Sequence, residues 1–353
     1  MTETAVAGSE VAGPVLADSA FAEPVLAEVW RGSVLECVHR GSAVVCRPDG
    51  EVVAAWGNPS RRILPRSACK MVQALPLVES GAADAAGLTD RHLALACASH
   101  NGAAIHTNLA SAWLADLGFG EPDLRCGRQV PNDEAAIAAL AGAAPTQVHN
   151  NCSGKHTGML TLTRHLGGGP EYLEADHPAQ QAIRQATAET ASEDITAFAT
   201  DGCSAPNFVI TLQGLATQMA RYARPSEAFS GARADSAERL VAAMMAHPEL
   251  VAGEGRACTA LMRACAGRAA VKTGAEGVFV GILPEAGLGI ALKIDDGATR
   301  GSHAAITALL GRYGALEIGH PVYTAYADAP LLNRRDIDCG RIRAAAALLD
   351  AGC

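Results

Sequence analysis

Two apolar runs near the C-terminus constrain the fold more than any other feature. They are Gly277-Val278-Phe279-Val280-Gly281-Ile282-Leu283 and Leu288-Gly289-Ile290-Ala291-Leu292-Lys293-Ile294. Only Pro284-Glu285-Ala286-Gly287 separates them, a turn-length link that predicts an antiparallel hairpin. The other end of the chain reads alike. Residues 25–30, 33–39, 42–46 and 51–56 are short β-rich runs divided by glycines and the Pro48-Asp49-Gly50 turn, which suits an antiparallel meander. Helical periodicity fills the middle, over 67–80, 89–98, 104–118, 133–143, 177–192, 205–223 and 235–246. A further helix is expected over about 298–314. Thr89 and Gly118 serve as caps, and Pro76 is expected to kink or divide the first helix. Strands at both ends with helices between them predict an α+β fold. The expected unit spans 24–353, with an antiparallel sheet from about 24–60 and 270–325 and a helical lobe over about 66–265. Residues 1–23, rich in Ala, Gly, Ser and Glu without periodicity, read as a mobile N-terminal tail. Gly167-Gly168-Gly169 is a connector, because no Walker lysine follows it.

Composition excludes several function classes. Of the 353 residues, 49% are hydrophobic and 18% charged, so the chain is globular rather than disordered. The formal charge of −9, with no block of lysine and arginine, argues against nucleic acid or an anionic membrane as partner. No apolar run reaches the length of a membrane span. The first basic residue is Arg31, so a charged signal-peptide region is missing, and a cytoplasmic location is expected. The eleven cysteines are scattered, with no Cys-x-x-Cys pair, and read as reduced, mostly buried small hydrophobes.

Three short segments suggest nucleophilic chemistry. Ser67-Ala68-Cys69-Lys70 sets a serine and a lysine three apart, on one helix face, where an amine can reach a hydroxyl. Alone, this spacing also fits a helix N-cap with a solvated lysine. Ser99-His100-Asn101 follows, and Lys272-Thr273-Gly274 stands just before the hairpin. The order Ser-x-x-Lys, Ser-x-Asn, Lys-Thr-Gly is that of the penicillin-recognising acyl-serine enzymes. The gap from Ser67 to Ser99 is short for the helical domain of true β-lactamases, and Lys272-Thr273-Gly274 also fits a plain strand-edge turn. Physically there are two serine–lysine pairs, Ser67 with Lys70 and Ser99 with Lys272. Two ammonium groups in one restricted site lower each other's pKa from the free value of about 10.4. Two more segments, Asn150-Asn151-Cys152-Ser153-Gly154-Lys155-His156 and Asp201-Gly202-Cys203-Ser204-Ala205-Pro206, are polar loops leading into helices. Their free N–H groups suit a carboxylate or an oxyanion. Cys152, Cys203 and His156 read either as a zinc site or as two buried cysteines beside a capping aspartate.

At these five segments the chain resembles the asparaginase II family, the thermolabile, rhizobial-type L-asparaginases, over roughly 25 to 345. Cys152-Ser153-Gly154-Lys155-His156 and Asp201-Gly202-Cys203 are the most specific parts of the likeness. The resemblance implies a serine-β-lactamase-like or penicillin-binding-protein-like fold, a homodimer, and hydrolysis of L-asparagine to L-aspartate and ammonia. It implies catalytic roles for Ser67, Lys70, Ser99 and Lys272, and zinc held by Cys152, Lys155 and Cys203 as an aid to substrate affinity. Arg66, His100, Lys155, His156 and Asp201 are the expected substrate-binding residues. Lys155 would take the substrate's α-carboxylate and Asp201 its α-ammonium. The expected reaction is acyl transfer, with Ser67 deprotonated through Lys70, an oxyanion held by backbone N–H groups, and Ser99 with Lys272 relaying the proton. Ser99 as nucleophile is the alternative order. Asn101 and Ala103 depart from the pattern, which carries a smaller residue, then Gly, then an acid. The rival readings are a glutaminase, a peptidoglycan peptidase or β-lactamase, and a zinc-binding or amino-acid-binding regulator on the same scaffold.

Overall fold

The computed structural model describes residues 23–349. The N-terminal tail expectation falls almost wholly on residues outside that range. Twelve strands are present among the described residues: β1 (Val25–Arg31), β2 (Val34–Cys46), β3 (Val52–Trp56), β4 (Arg62–Ile63), β5 (Phe198–Thr200), β6 (Pro206–Phe208), β7 (Ile210–Thr211), β8 (Ala270–Thr273), β9 (Val278–Leu283), β10 (Leu288–Ile294), β11 (Asp328–Leu332) and β12 (Asp338–Ala344). The main sheet has eight strands in the order β11-β12-β1-β2-β10-β9-β8, with β3 also paired to β2. Every pairing in it is antiparallel. The hairpin forms as expected, with Leu288 opposite Leu283 and Lys293 opposite Val278. The expected α+β arrangement holds: the sheet comes from the two chain ends, and helices lie between.

β9 and β10 are apolar on both faces because both faces are covered. Gly289 lies against the Leu212–Ala223 helix at Ala216 and Ala220, while Gly281, on the alternate face, lies near Ile306 of the Thr299–Arg312 helix. Each fully buried Val, Leu or Ile in this layer contributes roughly 1.5–3 kcal/mol of burial free energy. The helical lobe gathers around Lys70–Glu79, whose residues 70–78 are all buried. Helices Asp90–Ala96, Ser153–Leu166, Pro178–Ala191 and Ala232–Ala246 complete it.

Several expectations need correction. β2 is one strand where two were read, because its first half pairs with β1 and its register with β10 runs on through Gly41, opposite Ile294. The sheet does not end near 325: β11 and β12 add two strands beyond it, and the Pro321–Ala327 helix covers the approach. Residues 205–211 form β6 and β7 rather than the start of a helix, as the Pro206-Asn207-Phe208-Val209-Ile210 run favours extended backbone. Pro76 sits inside Lys70–Glu79 without dividing it; surrounding burial outweighs the one hydrogen bond lost. The helix expected after the Asn150–His156 segment is Ser153–Leu166, and the helix Ala257–Cys265 has no counterpart among the expected elements.

His303 gives the packed interior a pH sensitivity. Its ring lies edge-on to Phe279 and to Tyr326, at centroid distances of 5.9 and 5.4 Å. Burial, with the nearby Arg256 charge, pushes its pKa down to about 4. The unfolded chain therefore takes up this proton first as pH falls, and stability is lost between about pH 6.5 and 4. The loss amounts to roughly 3 kcal/mol at about 1.4 kcal/mol per pH unit. His303→Phe is expected to remove that share of the acid sensitivity. Denaturant titrations of both proteins at pH 7, 5.5 and 4 measure it, and parallel pH dependences would refute it.

Candidate active site

Four separate segments converge at the junction of sheet and lobe, and two glycines permit the approach. A Cβ at Gly274 would lie 2.8 Å from the Pro65 carbonyl and 3.2 Å from the Ala68 nitrogen. The end of β8 therefore lies directly on the turn that carries Ser67. A Cβ at Gly154 would collide with the Leu95 carbonyl. The start of Ser153–Leu166 is thus pressed against the helix that leads to Ser99.

Lys70 and Lys272, both 1% exposed, meet at one hydroxyl. Lys70 Nζ donates to Ser99 Oγ at 3.0 Å, to Cys152 Sγ at 3.0 Å and to the Ala98 carbonyl. Lys272 Nζ donates to Ser99 Oγ and to the Thr273 carbonyl, each at 2.8 Å. When Lys272 is neutral its 2.8 Å contact can run the other way, with the Ser99 O–H donating to Lys272 while Lys70 donates to Ser99. Burial, reinforced by the Lys70 charge, pushes Lys272 down to about 7. Lys272 is consequently the amine that can be neutral near neutral pH and accept a proton from Ser99.

Ser67 lies in the 3-10 turn Arg66–Cys69, and Lys70 begins the α-helix after it. Side chains three apart lie over one another in a 3-10 turn, so Ser67 and Lys70 keep to one side of the chain, while the Lys70 amine reaches on to Ser99. Neither the Ser67 hydroxyl nor its backbone N–H has a hydrogen-bond partner among the described residues. The preceding Arg66 has φ +53°, a left-handed conformation costly for a residue with a side chain. A clamp holds it there. Its guanidinium donates to Asp201 Oδ1 at 3.0 and 2.8 Å, and its backbone N–H donates to Asn207 Oδ1 at 3.2 Å.

The two cysteine loops form the other wall. Lys155 Nζ donates to Cys203 Sγ at 3.0 Å, and Cys152 Sγ lies 2.8 Å from Asn151 Oδ1. A hydrogen bond from Cys152 and the Lys155 charge hold Cys203 far below the usual thiol range despite burial. Cys152 is raised in return, by that contact with Cys203 and by burial. Burial opposes the charge on Lys155, yet the two sulfurs keep it above the ordinary lysine range. The result is a buried thiolate–ammonium pair beside a neutral thiol. His156 accepts at Nδ1 from the Tyr172 hydroxyl at 2.8 Å, while its Nε2, facing Cys203, is buried without a hydrogen-bond partner. Burial pushes this imidazole down to about 4. Two sulfurs, and the Lys155 amine once deprotonated, are donors that suit zinc. Among the described residues, however, no three His, Cys, Asp or Glu side chains are grouped as metal ligands are.

His100 donates from Nε2 to Ser153 Oγ at 2.9 Å, accepts from the Gly102 N–H at 3.2 Å, and stacks on His106 at 4.6 Å. It braces Ser99 against the Cys152 loop. Asn101 Nδ2 donates to Asp133 at 3.4 Å, so a carboxylate from another segment stands near the place where Ala103 lacks one. Residues that no motif signalled include Asn207 and Tyr172, whose roles are contacts to the motif residues, and Arg256, which borders the site without any such contact among the described residues.

The profile of L-asparaginase II matches residues 27–344. The chain belongs to the L-asparaginase II family. Membership makes the chain an amidohydrolase. No curated protein matches it. Solved structures similar to this family member include a β-lactamase, Mb2281c, from Mycobacterium bovis, at 17% identity, TM-score 0.44, covering 77% of this chain and 94% of that one. Mglu matches at 16% identity and TM-score 0.47, covering 84% and 72%. A putative β-lactamase from Bacteroides dorei matches at 11% identity and TM-score 0.43, covering 72% and 84%. No helix among the described residues of the family member is long and apolar enough to cross a membrane.

Proposed function

We propose that the chain is an L-asparaginase that hydrolyses L-asparagine to L-aspartate and ammonia by acyl transfer. The observation that carries this reading is the Lys70–Ser99–Lys272 chain of hydrogen bonds beside an unbonded Ser67 hydroxyl. Ser67 has free lone pairs and attacks the side-chain carboxamide. Lys70 first gives a proton to Ser99 while the Ser99 O–H proton passes to Lys272, the amine that burial leaves neutral above about pH 7, and the Lys70 amine freed in this way takes the proton of Ser67. The free Ser67 N–H, at the start of its turn, is aimed for the oxyanion. The same chain returns the proton to departing ammonia through the Ser99 O–H, and water then cleaves the β-aspartyl ester. Asp201, held by Arg66, takes the α-ammonium. Zinc, when bound, would be held by Cys152, Lys155 and Cys203 and would supply a fixed positive charge that raises substrate affinity. The protein acts as a homodimer in this reading.

Ammonia release from L-asparagine and L-glutamine, measured side by side with and without a chelator, tests the reading. Release from asparagine at a kcat/KM at least tenfold above that with glutamine is expected. A chelator is expected to raise KM while leaving kcat within about threefold. Preference for glutamine would make the protein a glutaminase, and turnover of a cephalosporin instead of either amide would make it a β-lactamase. Binding of amino acids without any ammonia release would make it a regulator.

A further inference from the structure

Among the described residues, Arg256 is a guanidinium without an anion. The loop Gly253-Glu254-Gly255-Arg256 enters the helix Ala257–Cys265 and runs along the site. On one side, the Ser99 N–H donates to the Val251 carbonyl at 2.9 Å, and Gly253 lies against the Asn101 side chain. On the other, Cys258 Sγ accepts from the Thr273 N–H at 3.3 Å, next to Lys272. Arg256 thus stands between two stretches fixed to Ser99 and to Lys272. Its charge reaches both His100 and Lys272.

The half-buried Arg256 side chain makes no hydrogen bond and no ion pair among the described residues. The nearest carboxylates along the chain are already taken: Arg263 holds Glu254 at 2.7 Å and Glu249 at 3.6 Å. The other cations of the site are committed as well. Arg66 pairs with Asp201, Lys155 with Cys203, and Lys70 and Lys272 with Ser99. A planar guanidinium matches a carboxylate with two parallel hydrogen bonds, and desolvation in a cleft strengthens the pair.

We infer that Arg256 receives the α-carboxylate of the amino-acid amide and selects substrates that carry one. The inference rests on the asparaginase reading, and it gives Arg256 the role expected of Lys155, whose ammonium stays with the Cys203 sulfur. Arg256→Gln is expected to raise KM for L-asparagine about 10–100-fold while kcat stays within about threefold, with Arg256→Lys in between. L-Aspartic acid diamide, which lacks the carboxylate, is expected to react equally with wild type and Arg256→Gln. Calorimetric binding of L-aspartate reads the same contact without turnover, and a 10–100-fold loss in Arg256→Gln is expected. Equal aspartate affinity in the two proteins, or no binding by either, overturns the inference. Arg256-dependent aspartate binding in a protein that releases no ammonia upholds the inference and refutes the activity alone. An unchanged thermal midpoint for both variants separates the contact from a folding defect.

Discussion

Ser67→Ala is expected to release ammonia from L-asparagine at least about a thousandfold more slowly than wild type, a loss of about 4 kcal/mol in transition-state stabilisation. It is also expected to fold normally. The hydroxyl makes no hydrogen bond among the described residues, so its removal breaks none, and the thermal midpoint should move by no more than a degree or two. That pairing of effects is diagnostic. Ser99→Ala also loses activity, but it leaves two buried amines without their shared acceptor and destabilises the fold by roughly 1–3 kcal/mol. An electrophilic asparagine analogue should add its mass to the peptide containing Ser67. Near-normal ammonia release from Ser67→Ala, or the adduct on Ser99, would move the nucleophile to Ser99. The strained Arg66 argues for Ser67: a left-handed residue clamped by Asp201 and Asn207 fixes the orientation of the next side chain, a constraint that a merely structural serine does not need.

The parts of this fold that were legible in the sequence are those where one local rule decides. The hairpin 277–294 was legible because a four-residue Pro/Gly link between apolar runs admits little else. β11 and β12 were not, since they lie toward a sheet edge, are mostly half-exposed, and so carry no apolar pattern. The helix Ala257–Cys265 is short, and its mixture of Thr, Cys and Arg hides its periodicity. At the site, spacing picked out residues that meet: Ser99 and Lys272 are hydrogen-bonded at 2.8 Å. The further contact from Lys70 to Ser99 was not legible, because it joins a helix start to a loop from another part of the chain. The 3-10 turn Arg66–Cys69 is likewise held by a contact with Gly274, two hundred residues away. Arg256 had no motif at all; its significance lies in what fails to pair with it, which only the three-dimensional arrangement of Glu249, Glu254 and Arg263 reveals.

Lys272→Met is expected to change activity and stability in opposite directions. An amine that is 1% exposed is an expensive group to bury, and burial is the first cause of its pKa of about 7. The sign follows from proton uptake. Between about pH 7 and the ordinary lysine range the unfolded chain binds a proton that the folded chain does not, so wild-type stability rises with pH across that window, and the cost is full below it. Methionine fills a similar volume without that cost, but it leaves the Thr273 carbonyl without its Lys272 donor. A net gain of about 1–3 kcal/mol near pH 6 is expected, shrinking toward pH 10. Activity moves the other way. The variant loses the terminal proton acceptor of the chain, at a cost of about 10²–10⁴-fold in kcat. Wild-type kcat/KM is expected to fall about tenfold per unit as pH drops below about 7, and this acid limb should be absent from the residual activity of the variant. Denaturant titrations at pH 6 and 10, alongside the two pH–rate profiles, measure all of this. A Lys272→Met protein less stable than wild type at pH 6, or one that keeps the acid limb, would show that Lys272 is protonated throughout the neutral range and that the proton rests elsewhere in the chain.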